Sequence, residues 1–180
     1  MSKIFVTSDT WFNRPNGKYL DLTTDEYNKI LTENWNKTVG KKDIVYILGG
    51  IGISDIYQIL IKLNGEIHIL NNYFSEDEKY FIEILKKSVD LSVDRKLKNK
   101  IIFEETQILT LADEDVILSY FPLMNWMGSE SGTYCFHGLT TESDLINHRI
   151  SCMVGNWDYK PACINEIKNK INSFKEKTLF

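Results

Sequence analysis

The residues that could carry out chemistry are concentrated in five short segments, each of which directly follows an apolar, strand-like run. These segments are residues 8–12, 48–52, 70–74, 119–122 and 136–141. They contain the acid Asp9, the amide Asn72 and the imidazole of His137. Loops at strand ends carry binding and catalytic groups in many α/β proteins. These five loops are therefore where we expect a functional site to lie.

Other kinds of site have weaker support. His68, His137 and His148 lie in separate segments without the i,i+4 spacing of a helical metal site, so we predict that all three are structural. Residues 49–52 lack the Lys-Ser/Thr pair that completes a phosphate-binding P-loop. No serine lies in a Gly-x-Ser-x-Gly segment, which argues against a serine nucleophile of the α/β-hydrolase type.

The elements that must position these segments follow from the hydrophobic periodicity. In the first half of the chain, predicted strands at residues 3–8, 43–48 and 66–70 alternate with predicted helices at 24–39, 56–63 and 75–89. After residue 100 strands predominate, at residues 101–103, 106–111, 116–119, 134–137 and 150–154, before a last helix at 164–174. This order predicts an α/β fold in which helices pack outside a pair of sheets.

Two of the predicted helices begin with a capping-box pattern, in which a hydroxyl residue is followed three positions later by glutamate. The pairs are Thr23 with Glu26 and Ser75 with Glu78. In the helix after Ser75, the spacing of the apolar residues predicts that Phe81, Ile84 and Leu85 face the core.

Length and composition fit one domain over residues 1–180, of which 43% are hydrophobic. The net charge of -4 gives no general attraction to nucleic acid or anionic membranes, so neither is a predicted partner. The basic segment 95–100 is predicted to be solvated surface.

No signal-peptide pattern and no bilayer-length apolar segment is present, which predicts a cytoplasmic protein. The three scattered cysteines are predicted to be free thiols, buried or partly buried: Cys135, Cys152 and Cys163.

The order of the five segments resembles the calcineurin-like metallophosphoesterases, especially their small single-domain bacterial and phage members. That family carries the motifs DTHF, GD, GNHD, SHYP and HGHTH in this order. The chain has DTWF at 9–12, GG at 49–50, NNYF at 71–74, SYFP at 119–122 and HGLTT at 137–141. The flanking segments ENWN at 33–36, DIVYILG at 43–49 and VGNWDYKP at 154–161 are also similar. The resemblance covers residues 4–167 and implies an αββα sandwich of two mixed β-sheets flanked by helices.

The same resemblance implies that the metal site of the family is lost. The family hydrolyses phosphate esters with a water or hydroxide held between two metal ions. Asp9 is retained, and Asn72 matches the family's asparagine, with Asn71 as the alternative. The other matching positions carry side chains unsuited to hard metal ions: Trp11, Gly50, Tyr73, Phe74, Tyr120, Leu139 and Thr141. His137 matches a histidine that is not a metal ligand in the family. We expect the bulky replacements to fill the former metal pocket by packing.

These losses predict a protein with no catalytic residues, no bound metal and no cofactor, in which the scaffold binds another protein. The likeness to phage-type members adds the hypothesis of a phage or mobile-element inhibitor of a host defence factor, acting in the host-cell cytoplasm. Two alternatives stay open. One is a nucleotide-binding protein that does not hydrolyse its ligand, and the other is a residual phosphodiesterase with one metal at Asp9 and Asn72.

The apolar segment after Pro122 is the candidate binding surface. It contains Met124, Trp126 and Met127 and is followed by a glycine- and serine-rich turn. A loop beside the mouth of the former site is a natural place for recognition. The sequence predicts an exposed binding surface and a folded-back part of the core equally well for this segment.

Overall fold

The computed structural model describes residues 2–54, 56–73, 75–92 and 100–178, with side chains described as far as residue 173. Phe74, the basic segment 95–99 and the side chain of Phe174, on which sequence predictions fall, lie outside this part. The described helices are α1 (Thr24–Thr38), α2 (Tyr57–Leu60), α3 (Glu76–Leu91) and α4 (Ile164–Thr178). The described strands are β1 (Ile4–Thr7), β2 (Ile44–Ile47), β3 (Glu66–Ile69), β4 (Ile101–Phe103), β5 (Ile108–Leu111), β6 (Val116–Ser119), β7 (Tyr134–His137), β8 (Arg149–Ser151) and β9 (Ala162–Cys163).

The described strands form two mixed sheets. The first has the order β4-β3-β2-β1-β9, in which β1 to β4 are parallel and β9 is antiparallel to β1. The second has the order β5-β6-β7-β8, in which β5 alone is antiparallel. Ser8 joins the sheets where they end, because its N–H donates to Cys152 O at 3.0 Å and its carbonyl accepts from the Val154 N–H at 2.9 Å. The predicted α/β class with two sheets is confirmed.

Two apolar clusters hold these layers together. The first lies between the first sheet and helices α1 to α3, where Tyr27, Leu31 and Trp35 of α1 are buried. The second joins the inner faces of both sheets and includes Ile167 and Ile171 of α4. Neighbouring residues of β1, β2 and β9 therefore enter different clusters, which explains why these strands are apolar on both faces, whereas β3 has Glu66 and His68 on one face. None of the described helices is long and apolar enough to cross a bilayer.

The start of α1 and the inner face of α3 have different outcomes against prediction. The Thr23 capping box is confirmed, with Glu26 accepting the Thr23 N–H at 3.0 Å. In α3, Leu85 is buried as predicted and Phe81 is half-buried, but Ile84 is exposed and Ile82 is buried in its place, so the prediction is wrong for Ile84. Residue 84 lies roughly 200° around the helix from residue 82, and the apolar stripe follows Ile82, Leu85 and Val89 instead.

The strand boundaries agree with prediction in the centre of the chain and differ near its end. Strands β6 and β7 coincide with the predicted ranges. Strand β8 ends at Ser151, because the chain turns into a 3-10 helix at Val154–Trp157. The two-residue strand β9 is too short for a periodicity signal. Cys135, Cys152 and Cys163 are free and buried, as predicted.

Candidate functional site

The five segments meet where β1, β2, β3, β6 and β7 end. Backbone hydrogen bonds align the first two, with the Asp9 N–H donating to Gly49 O and the Trp11 N–H to Gly50 O, both at 2.9 Å. The Gly138 N–H donates to Tyr120 O at 3.0 Å and aligns the last two. Parallel strands bring their carboxyl ends to one edge of a sheet, so this convergence follows from the topology.

The carboxylate of Asp9 is the centre of this region, and its side chain is engaged on both oxygens. Asp9 is 4% exposed. Its Oδ1 accepts a hydrogen bond from the Tyr120 hydroxyl at 2.9 Å, and its Oδ2 accepts one from the Leu139 N–H at 3.0 Å. Three loops that are distant in sequence are thereby tied to one acid.

Burial and hydrogen bonding act in opposite directions on this acid. Burial raises the pKa of Asp9 above its ordinary value, and the hydrogen bonds from the Leu139 N–H and the Tyr120 hydroxyl offset part of that rise. Burial, with the nearby Asp9 charge, also raises the pKa of Tyr120. The phenol therefore stays protonated and remains a donor to the carboxylate at neutral pH.

Glycines allow Tyr120 and Asp9 to approach the neighbouring backbone. A Cβ atom on Gly49 would lie 2.7 Å from the Tyr120 ring, and one on Gly138 would lie 2.6 Å from it. A Cβ on Gly50 would lie 2.7 Å from Asp9 Oδ1 and 2.8 Å from Asp9 Cα. These separations are shorter than van der Waals contact. The segments 48–52 and 136–141 therefore have no room for a larger residue at these glycine positions. Tyr120, which is fully buried, is the bulky residue that packs beside Asp9.

The backbone here is held in an unfavourable conformation at three residues other than glycine. Asp9, Trp11 and Leu139 have φ values of 54°, 46° and 62°. Residues other than glycine, asparagine and aspartate rarely adopt this left-handed region, so the cost, on the order of 1–3 kcal/mol for each residue, falls mainly on Trp11 and Leu139. Such strain persists only where the surrounding contacts enforce it, and it accumulates at functional sites.

Asn72 is buried at the end of β3, whereas Asn71 is not. The Asn72 amide donates to Leu48 O at 3.2 Å and to Gln107 O at 2.9 Å. Its Oδ1 is buried and has no hydrogen-bond partner among the described residues. Asn71 instead accepts from the Tyr73 hydroxyl. Asn72 is therefore the asparagine that borders the Asp9 region.

His137 lies at the end of β7, buried and neutral. Its Nδ1 is 2.9 Å from Gly138 O, and because a carbonyl only accepts, that nitrogen carries the hydrogen. Its Nε2 is buried without a partner in the described part of the chain. Burial lowers the pKa of His137 below its ordinary value, while the Gly138 carbonyl acts in the opposite direction.

The remaining predicted positions lie at or near the protein surface. Trp11 and Leu139 are half-buried, and the Arg14 guanidinium lies 5.4 Å from the centre of the Trp11 ring. Tyr73 is half-buried against the first apolar cluster, and Thr141 is exposed. The expected filling by bulky side chains therefore comes mainly from Tyr120.

Sequence reasoning missed Glu78, a buried acid of α3. It is 1% exposed, and its Oε1 accepts the Ile51 N–H at 3.0 Å in the loop after β2. The Ser75 hydroxyl accepts the Glu78 N–H at 3.2 Å, so Ser75 acts as the predicted cap. The capping pattern gave no indication that the acid itself reaches across to another loop.

A binuclear metal site needs a carboxylate shared by both ions and several further oxygen or imidazole ligands. The residues in this region do not meet that need. Gly50 has no side chain, and both oxygens of Asp9 already accept hydrogen bonds. Within residues 2–54, 56–73, 75–92 and 100–178, no three His, Cys, Asp or Glu side chains are grouped as metal ligands.

The segment after β6 lies on the surface. Met124 and Met127 are 83% and 88% exposed, while Trp126 is half-buried and its indole N–H donates to Thr133 O at 3.0 Å. Exposed Ile146 lies across a groove of about 450 Å³ from Met124. The sequence left open whether this segment is an exposed surface or part of the core. Met124 and Met127 are exposed, whereas Trp126 packs partly inward and supports the loop.

Comparisons with known proteins identify similar chains but no family, and no family model matches. Over 90 residues the chain is 41% identical to the uncharacterized protein MJ1445 of Methanocaldococcus jannaschii. The aligned segment covers 44% of this chain and 51% of that protein. The chain thus spans about half the length of this relative. A crystal structure of the protein of unknown function AQ665 from Aquifex aeolicus matches with a TM-score of 0.62 and 18% identity, over 94% of this chain and 99% of that one. This similarity concerns the fold alone.

Proposed function

We propose that this chain is a metallophosphoesterase-like protein that has lost phosphoester hydrolysis and now binds another protein. The αββα architecture of that family is part of the proposal. It is supported by the order of the five motifs and by two mixed sheets whose strand ends bring those motifs together. The loss of catalysis and the gain of a binding surface rest on separate observations.

The engagement of Asp9 is the observation that carries the loss of catalysis. A metal ion would have to share the carboxylate with the Tyr120 hydroxyl and the Leu139 N–H, each of which already occupies a lone pair on one oxygen. Burial also raises the pKa of Asp9, which disfavours the ionised form that a metal requires. Tyr120 stands where the resembled family has a histidine, so the replacement itself supplies the competing donor.

The backbone supports descent from a ligand-bearing site. The positions at which the resembled family has metal ligands include Asp9, Trp11, Gly50 and Leu139, and their φ values lie between 46° and 64°. At the three residues other than glycine this conformation is strained, and contacts hold it, such as the Leu139 N–H on Asp9 and the packing of Leu139 against the second apolar cluster. A scaffold first shaped to aim ligands explains why it is kept.

Exposure of Met124 and Met127 supports protein binding. Two nearly fully exposed methionines on a loop held by Trp126 give an apolar, adaptable surface on a firm support. Methionine packs against varied partners because its side chain is unbranched and polarizable. The phage or mobile-element role remains a prediction from the resemblance, and neither similar protein bears on it.

Hydrolysis of an activated phosphodiester such as bis(p-nitrophenyl) phosphate tests the loss of catalysis. With added Mn²⁺ we expect the same rate as with EDTA, because the Asp9 region cannot assemble two ions. An intact metallophosphoesterase in the same buffer serves as the positive control. A Mn²⁺-dependent rate that Asp9→Asn abolishes would overturn the proposal and favour the residual phosphodiesterase.

Partner capture with surface variants tests the second half of the proposal. Affinity-tagged wild-type chain is incubated with lysate of the encoding organism, beside the double variant Met124→Glu/Met127→Glu. We expect a stoichiometric partner with the wild type and at least about a tenfold loss with the double variant, since a buried interface rejects unpaired charge. Leu20→Glu, another exposed apolar position, is the matched control and should retain the partner. If the double variant captured as much partner as Leu20→Glu, or if the wild type captured none, the proposed binding surface would be refuted.

A further inference from the structure

A cleft lies at the end of the first sheet that is opposite to the Asp9 region. Its volume is about 450 Å³. It is formed by the turn before β2, the connection from α2 to β3, and the residue before β4. These segments precede the parallel strands, whereas the Asp9 region follows them. The cleft is therefore separate from the site described above.

Three lysines line this cleft in a chain whose net charge is -4. They are Lys41, Lys62 and Lys100. Among the described residues, none of the three makes an ion pair. The one acid lining the cleft, Glu66, contacts His68 Nε2 at 2.8 Å through its Oε1. The lining thus carries three ammonium groups against the single carboxylate of Glu66, which is an excess of positive charge among the described residues.

Lys100 is the most constrained of the three. It is half-buried, and its Nζ donates to Ile61 O at 2.8 Å. Since an ammonium group has three N–H donors, this fixed position leaves donors for a further acceptor. Burial lowers the pKa of Lys100, and no acid counteracts that effect. Of the segment 95–100, predicted to be solvated surface, Lys100 is the described residue, and it is half-buried in the lining of the cleft. A partly buried ammonium without a counterion is costly, and an anion would relieve that cost.

We propose that this cleft binds the phosphate chain of a small polyanion. Lysine ammonium groups bind phosphate oxygens as compact point charges, and three of them match an anion carrying several charges. The cleft volume accommodates a short phosphate chain with or without an attached nucleoside. The site rests on residues different from those of the proposed function, so either proposal can fail alone.

Isothermal titration of the full chain with inorganic tripolyphosphate tests the site. We expect saturable one-to-one binding that Lys100→Met weakens at least about tenfold, because a charge-assisted hydrogen bond is lost. Exposed Lys62→Met should also weaken it and cannot disturb a buried contact. Lys29→Met, which removes the same charge from the exposed side of α1, should change the affinity less than about twofold.

A parallel titration with ATP identifies the source of the phosphate chain. Tighter binding of ATP than of tripolyphosphate would assign a nucleotide ligand, and equal or weaker binding of ATP would assign an inorganic one. Absence of saturable tripolyphosphate binding would overturn the proposal, as would an equal loss of affinity in Lys29→Met and Lys100→Met. Thermal unfolding of each variant establishes that the fold is retained.

Discussion

Replacement of Gly50 by alanine is expected to lower the free energy of unfolding by about 2–5 kcal/mol, because the added methyl group meets both backbone strain and a steric clash. The residue has φ of 64°, which a Cβ makes unfavourable. The added atom would also lie 2.8 Å from the Asp9 Cα, so relief requires the backbone to move rather than a side chain to rotate. Chemical denaturation followed by circular dichroism measures the change.

Gly155→Ala provides the matched control. A Cβ on Gly155 has no heavy atom within 4 Å, and its φ lies outside the left-handed region. We expect its free energy of unfolding to stay within about 0.5 kcal/mol of wild type. If the Gly50 variant matched the Gly155 variant, the tight packing against Asp9 would be refuted. The proposal that this loop has no room for a bridging carboxylate would then fail too.

Tyr120→Phe is expected to cost about 1–3 kcal/mol near neutral pH, because it leaves Asp9 Oδ1 buried without its donor. The loss should be smaller in mild acid. Burial already raises the pKa of Asp9 above 3.8, so the folded state holds that proton more tightly than the unfolded state. This contribution to stability is complete below 3.8 and is lost as pH rises through the raised pKa. Removing the phenol raises the pKa further and deepens that loss.

Denaturation of wild type and Tyr120→Phe across the acid to neutral range measures this difference. Tyr134→Phe is the control, because the Tyr134 hydroxyl has no hydrogen-bond partner among the described residues. Its effect should be below about 0.5 kcal/mol at every pH. A Tyr120→Phe loss that is constant with pH would contradict the coupling between the phenol and the carboxylate. The ring would then act through packing alone.

Much of the fold was predictable because it depends on local signals. Apolar runs fixed the strands, and the α1 cap followed from Thr23 and Glu26, whose contacts lie within four residues. The order of the segments also predicted that they belong to one region, since parallel strands align their carboxyl ends. On the predicted inner face of α3, Leu85 was right and Ile84 was wrong, because Ile82 and Ile84 are equally apolar and only packing in the folded chain distinguishes them.

The sequence by itself determined which side chains stand at the ends of the strands. Tertiary structure alone decided what they do. The hydrogen bond from the Tyr120 hydroxyl to Asp9 joins residues 111 positions apart in the chain, and the hydrogen bond from the Ile51 N–H to Glu78 joins residues 27 positions apart. The excess of positive charge around Lys100 arises because the folded chain brings Lys41 and Lys62 to the same cleft, where Glu66 is the one lining acid. Hydrogen bonds, burial and electrostatics depend on distances in space, and residue spacing along the chain does not encode them.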